Sequence, residues 1–161
     1  MQVAELLGKV DHSSLRVNQA LIILGLLAAF IFSLPWLTAA VALIMLIGTA
    51  IGRPGFFPVY IGLLRPTGFV KPHILADNPE PHRFAQGFGG VVAAVSSALL
   101  FLGASAAGWA LAWLVIVLAA LNLFVGFCAG CAVYYWLNRL QFPGFIKAPP
   151  AGTFPGMRPR S

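Results

Sequence analysis

The most informative shortage in this chain is that of charge. Asp, Glu, Lys and Arg make up 9% of its 161 residues, and only four of these are acidic. A soluble domain carries about a quarter charged residues, so a soluble globular protein is excluded. Hydrophobic residues reach 60%, which indicates an integral membrane protein. The ten basic residues are dispersed around apolar runs, so anionic lipid explains them better than nucleic acid, and no nucleic-acid partner is expected.

Acidic residues are missing from every long apolar run, and this absence excludes several activities. Glu5, Asp11, Asp77 and Glu80 all fall in flanks or loops. A proton pump that depends on a buried carboxylate therefore has no candidate residue within its spans. The sequence also lacks an HExxH motif, a glycine-rich phosphate loop and a Ser/His/Asp order. An ordinary hydrolase is not indicated.

Four apolar runs are long enough to approach the roughly 20 residues that cross a bilayer. They cover about residues 15–33, 35–52, 84–105 and 107–137. The first run is too long for the hydrophobic region of a cleavable signal peptide and is followed at once by another, so we interpret it as a retained helix. The sequence predicts an all-α membrane protein, a four-transmembrane-helix bundle made of two helical hairpins.

Basic residues are found at one end of the predicted hairpins. They flank the start of the first span, the central loop and the end of the fourth span, whereas the turns near residues 33–35 and 104–108 carry no charge. The positive-inside rule therefore places both termini and the central loop in the cytoplasm.

Two segments lie outside the spans. The loop over about residues 53–83 contains six prolines interleaved with aromatic, aliphatic and basic residues, so we expect an amphipathic segment in the headgroup layer or against the bundle. Residues 143–161 are rich in Pro and Gly and predict a disordered tail. The membrane domain is accordingly expected over residues 1–142.

The polar side chains within the spans gather in the cytoplasmic third of the predicted bundle. They line up at similar depth near the helix ends, and we take them as candidate substrate-binding residues: Arg16, Asn18, Gln19, Arg83, Gln86 and Asn122. Such groups tend to face a bundle interior and often mark a site. The alternative is that the amides only tie helices together. The spacing Arg-x-x-Gln occurs twice among them, which hints at a duplication of the hairpin.

The only cysteines are Cys128 and Cys131, placed near the inner end of the fourth predicted helix. Three interpretations stay open. The pair can be a redox dithiol, although the C-terminal end of a helix disfavours a thiolate. It can form half of a metal site, which His12, His73 or His82 would complete. It can also be small apolar packing beside Gly126 and Gly130. If the thiols face inward, the two glycines form an outer strip suited to a homo-oligomer contact.

Three segments resemble a known family. Val10-Asp-His-Ser-Ser-Leu-Arg-Val-Asn-Gln19 has its Asn-Gln helix start. Asp77-Asn-Pro-Glu-Pro-His-Arg-Phe-Ala-Gln86 has its Arg-Phe-Ala-Gln step, and Leu121-Asn-Leu-Phe-Val-Gly-Phe-Cys-Ala-Gly-Cys-Ala-Val-Tyr134 has its cysteine segment. This family comprises small bacterial integral membrane proteins of unknown function, and the resemblance covers about residues 10–140. It implies a four-span protein of the bacterial cytoplasmic (inner) membrane and no established activity. The family motifs fall on the six candidate polar residues and both cysteines.

Together these features favour a membrane thiol–disulfide redox or sulfur-handling protein, in which Cys128 and Cys131 are the catalytic pair. Whether it is an enzyme stays open, and a quinone or a metal is a possible cofactor that no motif specifies. The expected partners are the lipid bilayer, a thioredoxin-like protein and a second copy of the chain. The alternative function is a non-enzymatic membrane subunit or small transporter, in which the cysteines and the polar layer are structural or line a permeation site.

Overall fold

The computed structural model describes residues 8–159, and this part of the chain is mostly helical. In chain order its elements are β1 (Gly8–Asp11), α1 (His12–Ile31), α2 (Pro35–Ile51), α3 (Phe57–Val59), a π-helix (Tyr60–Leu64), β2 (Ile74–Asp77), α4 (Pro79–Phe101), α5 (Ser105–Ala120), a second π-helix (Leu121–Val125) and α6 (Ala129–Arg139).

Three helical segments are long and apolar enough to cross a membrane. They are α1, α4 and the continuous segment Ser105–Val125, which joins α5 to the second π-helix. The helix α2 is also apolar, but its 17 residues are shorter than the other three segments. Large side chains such as Leu24, Ile47 and Leu114 are exposed on the helix surfaces, as expected for a protein that contacts lipid. These features indicate a membrane protein.

The four long helices pack around one apolar core. α1 and α4 each contact both α2 and α5, and side chains from all four form the core: Ile22, Leu26, Val41, Ala42, Met45, Ala93, Val115, Ile116 and Ala119. The turns after α1 and α4 lie side by side, since the Trp36 and Phe101 ring centroids are 4.6 Å apart. The opposite end of the bundle therefore holds the strands, the central loop and α6.

A two-stranded ribbon joins the starts of the two hairpins. β1 and β2 pair antiparallel, with Gly8 opposite Asp77 and Asp11 opposite Ile74. Asp11 also caps α1 by accepting a hydrogen bond from Ser13 N, and it accepts another from the Tyr60 hydroxyl at 2.7 Å. The central loop is thereby fixed to the ribbon. No long helix crosses the loop, as its prolines predict, but β2 and the first turn of α4 both lie within the expected loop region.

Two side-chain amides, of the buried Asn18 and the partly buried Gln86, connect the hairpins just inside the bundle. Gln86 Oε1 accepts hydrogen bonds from Asn18 Nδ2 and from Gly55 N, both at 3.2 Å. Gln86 Nε2 donates to Met45 O at 3.0 Å, and Asn18 Oδ1 accepts from Phe56 N at 3.0 Å. These bonds tie α1, α2, α4 and the turn after α2 together. The helix-tying interpretation of these two residues therefore matches their geometry.

The expected continuous helix over residues 107–137 is wrong. The second π-helix ends at Gly126, whose φ of 77° is left-handed, and Cys128 is extended before α6 begins at Ala129. Glycine adopts this conformation without the strain a side chain would add, so the break is encoded at Gly126. The cysteines accordingly lie at the start of α6, whereas the sequence analysis placed them near the end of the fourth predicted helix.

This break also removes the expected glycine strip. Gly126 and Gly130 belong to different segments, and a Cβ on Gly130 would lie 2.5 Å from the Ala85 Cβ. Gly126 instead faces Arg158. Both glycines are used for contacts within the chain, so the proposed homo-oligomer contact through them does not stand.

The segment after α6 also differs from the expectation of disorder. Asn138 Nδ2 donates to Phe145 O at 2.6 Å, and Asn78 Nδ2 donates to Ala148 O at 2.8 Å. Residues 156–158 then pair with the extended chain around Phe127. Side-chain amides of the folded domain thus bind the backbone of this Pro/Gly-rich segment and order it, a contact that composition does not reveal.

Gln86→Ala is expected to destabilise the protein by about 2 to 3 kcal/mol, because it leaves several buried backbone and amide groups without partners. The measurement is the thermal unfolding midpoint of purified protein in detergent, which should fall by about 5 °C. Gln19→Ala is the matched control, since Gln19 lines the same interior without joining this network, and its midpoint should change by less than about 1 °C. Equal shifts for the two variants would contradict the assigned role.

Candidate functional site

Cys128 and Cys131 form a disulfide at the N-terminus of α6. Their Cα atoms are 5.2 Å apart, and their exposures are 5% and 2%. Cys128 occupies the N-cap position, where its Sγ accepts a hydrogen bond from Cys131 N at 3.2 Å. A helix N-terminus directs N–H groups and a positive partial charge toward this sulfur. In the reduced state this setting stabilises a Cys128 thiolate.

A histidine and a carboxylate stand beside the second cysteine. His82 Nδ1 lies 3.5 Å from Cys131 Sγ, and His82 Nε2 lies 2.9 Å from Asp77 Oδ2. His12 Nε2 approaches the same oxygen at 3.1 Å, but its orientation does not make a hydrogen bond. Cysteine, histidine and carboxylate are therefore in consecutive contact.

The ribbon and the two helix starts create this arrangement. Asp77 is the last residue of β2, and Pro79 then opens α4, so that His82 sits in the first turn on the side of Asp77. His12 is the first residue of α1, directly after β1. Because β1 and β2 pair, both histidines come within reach of one carboxylate.

Asp77 stays ionised in this environment. Burial alone would raise the pKa of its carboxyl, but contacts with His12 and His82 and a hydrogen bond from Asn78 N hold the pKa well below its usual range. An ionised carboxylate only accepts hydrogen bonds. His82 Nε2 must therefore donate, and in the neutral imidazole Nδ1 then presents its lone pair toward Cys131.

The interior next to Cys128 forms a small cavity of about 80 Å³. Four of the candidate amides line it together with Cys128: Asn18, Gln19, Gln86 and Asn122. The remaining lining is mostly apolar, as with Met45 and Phe88. The structure thus brings the predicted amides and one cysteine around a single space. Asn18 and Gln86 use their amides within the protein, as described above, whereas within residues 8–159 the side-chain amides of Gln19 and Asn122 make no hydrogen bond.

The two candidate arginines lie apart from this cavity. Arg83 Nε donates to Thr49 O at 2.6 Å and its Nη2 to Ala50 O at 3.3 Å, so its guanidinium binds the carbonyl end of α2. Arg16 is exposed on α1. A substrate-binding role for either stays a prediction, and for Arg83 the structure gives a helix-capping role.

Two groups of side chains have the spacing of metal ligands. Ligand atoms of His82, Cys128 and Cys131 lie within 4.8 Å of one another, as do those of His12, Asp77 and His82. In the first group the sulfurs are joined to each other, so the oxidised pair offers no thiolate. In the second group Asp77 already binds the histidines. A metal would need the reduced pair or the loss of these contacts.

The sequence analysis did not identify Asp77, His12 and His82 as site residues. All three lie in flanks of the spans, where histidines and acids usually face the headgroup layer. The available signal was the order of residues: Asp11 directly precedes His12, and Asp77 precedes His82 by five residues, each at the start of a hairpin. Only the antiparallel pairing of β1 with β2 joins the two into one cluster.

Comparison with known proteins gives a family and no function. The family described as Domain of unknown function (DUF4395) matches residues 10–139, in agreement with the resemblance inferred from the sequence. No curated protein matches the chain, and no solved structure does.

Asp77→Asn is expected to lower the free energy of unfolding by about 2 kcal/mol at pH 7. Since the pKa of Asp77 is lowered in the folded state, its stabilisation is complete above the ordinary carboxyl pKa of about 3.9. The difference between the parent and the variant should therefore persist down to about pH 4 and shrink as the pH falls further. Chemical unfolding at several pH values measures it.

Glu80→Gln is the control for this series. Glu80, like Asp77, lies near the start of α4. Its only ion pair among the described residues is a 3.9 Å contact with Lys147, and its side chain is 43% exposed. Its replacement should change stability by less than about 0.5 kcal/mol. A pH-independent difference for Asp77→Asn would show that the carboxylate charge is not what stabilises the site.

Proposed function

We propose that this chain, which belongs to the DUF4395 family of unknown function, is a membrane thiol–disulfide oxidoreductase or sulfur-handling protein. The supporting observation is the Cys128–Cys131 disulfide at a helix N-terminus, with His82 Nδ1 3.5 Å from Cys131 Sγ and Asp77 behind the imidazole. Packing alone has no need of two cysteines, a histidine and a buried carboxylate in consecutive contact.

The two cysteines take different roles in this proposal. Cys128 is the sulfur that exchanges with a partner, because the Cys131 N–H and the start of α6 stabilise its thiolate as nucleophile and as leaving group. Cys131 closes the disulfide. Its thiol donates a proton to His82 Nδ1, and the resulting thiolate attacks a mixed disulfide on Cys128.

Asp77 acts through His82 as a positioning residue. By accepting from Nε2 it fixes the imidazole tautomer and directs the unprotonated Nδ1 toward Cys131. It also stabilises the imidazolium that forms when the proton arrives. His12 contributes a second contact to the carboxylate and helps keep it ionised in a buried setting.

The membrane setting of the proposal is a four-span bundle in the bacterial inner membrane, with both termini cytoplasmic. The one-sided distribution of basic residues supports this orientation. Aromatic residues gather at the opposite end, around Trp36, Phe101 and Trp109, as is common at a membrane interface. A reducing cytosol keeps many thiols reduced, so a transient disulfide exchanged with a thioredoxin-like dithiol suits this location.

The second candidate function is a non-enzymatic subunit or small transporter. Its support is that Asn18 and Gln86 use their amides to hold helices together. Replacement of both cysteines by serine discriminates between the two functions. A scaffold tolerates serine at both positions, whereas an oxidoreductase loses turnover.

Cys128→Ser is expected to abolish exchange between purified protein in lipid nanodiscs and a dithiol substrate, because the protein disulfide is lost and the exchanging sulfur is absent. Cys131→Ser, incubated with the disulfide form of that substrate, should instead trap a mixed disulfide at Cys128, visible as a mass shift that reductant reverses. Both variants should keep the parent's unfolding midpoint to within a few degrees. Unchanged exchange in either variant would refute the redox assignment.

His82→Gln is expected to slow exchange by about 10- to 100-fold, with the loss concentrated in the step that uses Cys131. The rates of the parent and of the variant are compared across pH, because proton transfer through the imidazole makes the parent rate depend on pH in a way that the variant does not reproduce. His73→Gln is the matched control, since His73 is exposed, and it should leave the rate and its pH profile unchanged. A uniform slowing of His82→Gln at every pH would indicate a merely structural histidine.

A further inference from the structure

The cysteine pair is preceded by a short extended segment with a β-type edge. Between the second π-helix and α6, Cys128 has φ −98° and ψ 101°. Phe127 forms an antiparallel bridge with Met157. Gly126 to Cys128 thus presents its backbone groups as a strand edge beside the disulfide.

Residues Gly156–Arg158, here called the strap, occupy that edge. Cys128 N donates to Gly156 O at 2.7 Å, and Arg158 N donates to Gly126 O at 2.9 Å. These two bonds flank the bridge and follow the antiparallel pattern. The Arg158 guanidinium adds a bond to Asn122 O at 3.2 Å.

The strap packs against the backbone of the cysteine segment. A Cβ on Gly156 would lie 2.8 Å from Cys128 O and 2.9 Å from the Ala132 Cβ, and Cys128 itself is only 5% exposed. Disulfide exchange needs an approach of the attacking thiolate to Sγ, so a polypeptide that binds at this edge has to displace the strap first. The side chains of Met157 in the strap and of Phe154 just before it are 40% and 70% exposed. Backbone bonds therefore hold it more than side-chain packing does, and another extended backbone can make the same bonds.

We propose that the edge Gly126–Cys128 is a binding site for an extended, cysteine-bearing polypeptide, and that the strap occupies this site in the resting protein. The mode is strand addition, in which main-chain hydrogen bonds give affinity. This inference rests on the thiol–disulfide function proposed above and names its substrate class, a protein segment in extended conformation with two thiols.

The exchange balances with these two participants. A thiolate of the bound segment attacks Cys128 Sγ, the bond between Cys128 and Cys131 breaks, and Cys131 leaves as a thiolate that takes up a proton. The segment's second thiolate then attacks its own sulfur in the mixed disulfide and releases Cys128. The segment loses two electrons and becomes a disulfide, and the cysteine pair gains them with the two protons that the segment's thiols gave up.

The test measures how fast a synthetic extended peptide with two cysteines reduces the pair in full-length protein in nanodiscs, followed by alkylation mass shift. Gly156→Ala should raise this rate about tenfold, because its Cβ displaces the strap. Gly152→Ala is the matched control: Gly152 has a similar φ of 74° but no atom within 4 Å, and its rate should equal the parent's. A chain ending at Pro150 is a second way to remove the strap and should match Gly156→Ala.

Two further probes separate the possible failures. On the Gly156→Ala protein, a peptide N-methylated at the residue that donates to Gly126 O should react about tenfold more slowly. Equal rates for the normal and N-methylated peptides, or for Gly156→Ala and Gly152→Ala, would overturn the peptide site. Dithiothreitol is the reference reductant. If the peptide results fail in this way while dithiothreitol reduces the pair in every variant, only the peptide site is refuted. If it reduces the pair in none, including the chain ending at Pro150, the thiol–disulfide function itself fails.

Discussion

The site depends on one buried carboxylate shared by two histidines. A charged Asp77 is costly away from water unless opposite charges and hydrogen bonds offset the loss of hydration. His12, His82 and Asn78 N supply these contacts, and each belongs to a segment that the β1–β2 pairing positions. Disruption of the ribbon would therefore also disturb the starts of α1 and α4 and the orientation of the imidazole next to Cys131.

The sequence predicts the helices well because lipid imposes a simple rule. A span must be apolar and long enough, so the runs at 15–33 and 84–105 largely coincide with α1 and α4. Both helices begin earlier than the runs, at polar residues that hydropathy does not capture, and end earlier, at Ile31 and Phe101. The break in the fourth run escaped prediction for the same reason. Gly126 and Cys128 are as compatible with an apolar helix as with its interruption, and the break depends on backbone contacts with Gly156 and Arg158.

The candidate site was predicted in part, and the division has a physical cause. The amides around Asn18 and Gln86 could be found because polar residues stand out within apolar runs. Their hydrogen bonds, however, run to backbone groups of the turn after α2, and no periodicity encodes these. Asp77 and His82 were missed because loop residues look alike in sequence. Their burial arises only when two strands that are distant along the chain pair with each other.

The pairing of Gly8 with Asp77 has a consequence for biosynthesis. The ribosome synthesises β1 and α1 long before it reaches β2. A nascent chain therefore holds His12 without Asp77, and the cluster of His12, Asp77 and His82 forms only after the start of α4 has been made. Cys131 is translated later still, so the cysteine pair acquires its neighbouring imidazole only when α6 packs against α4.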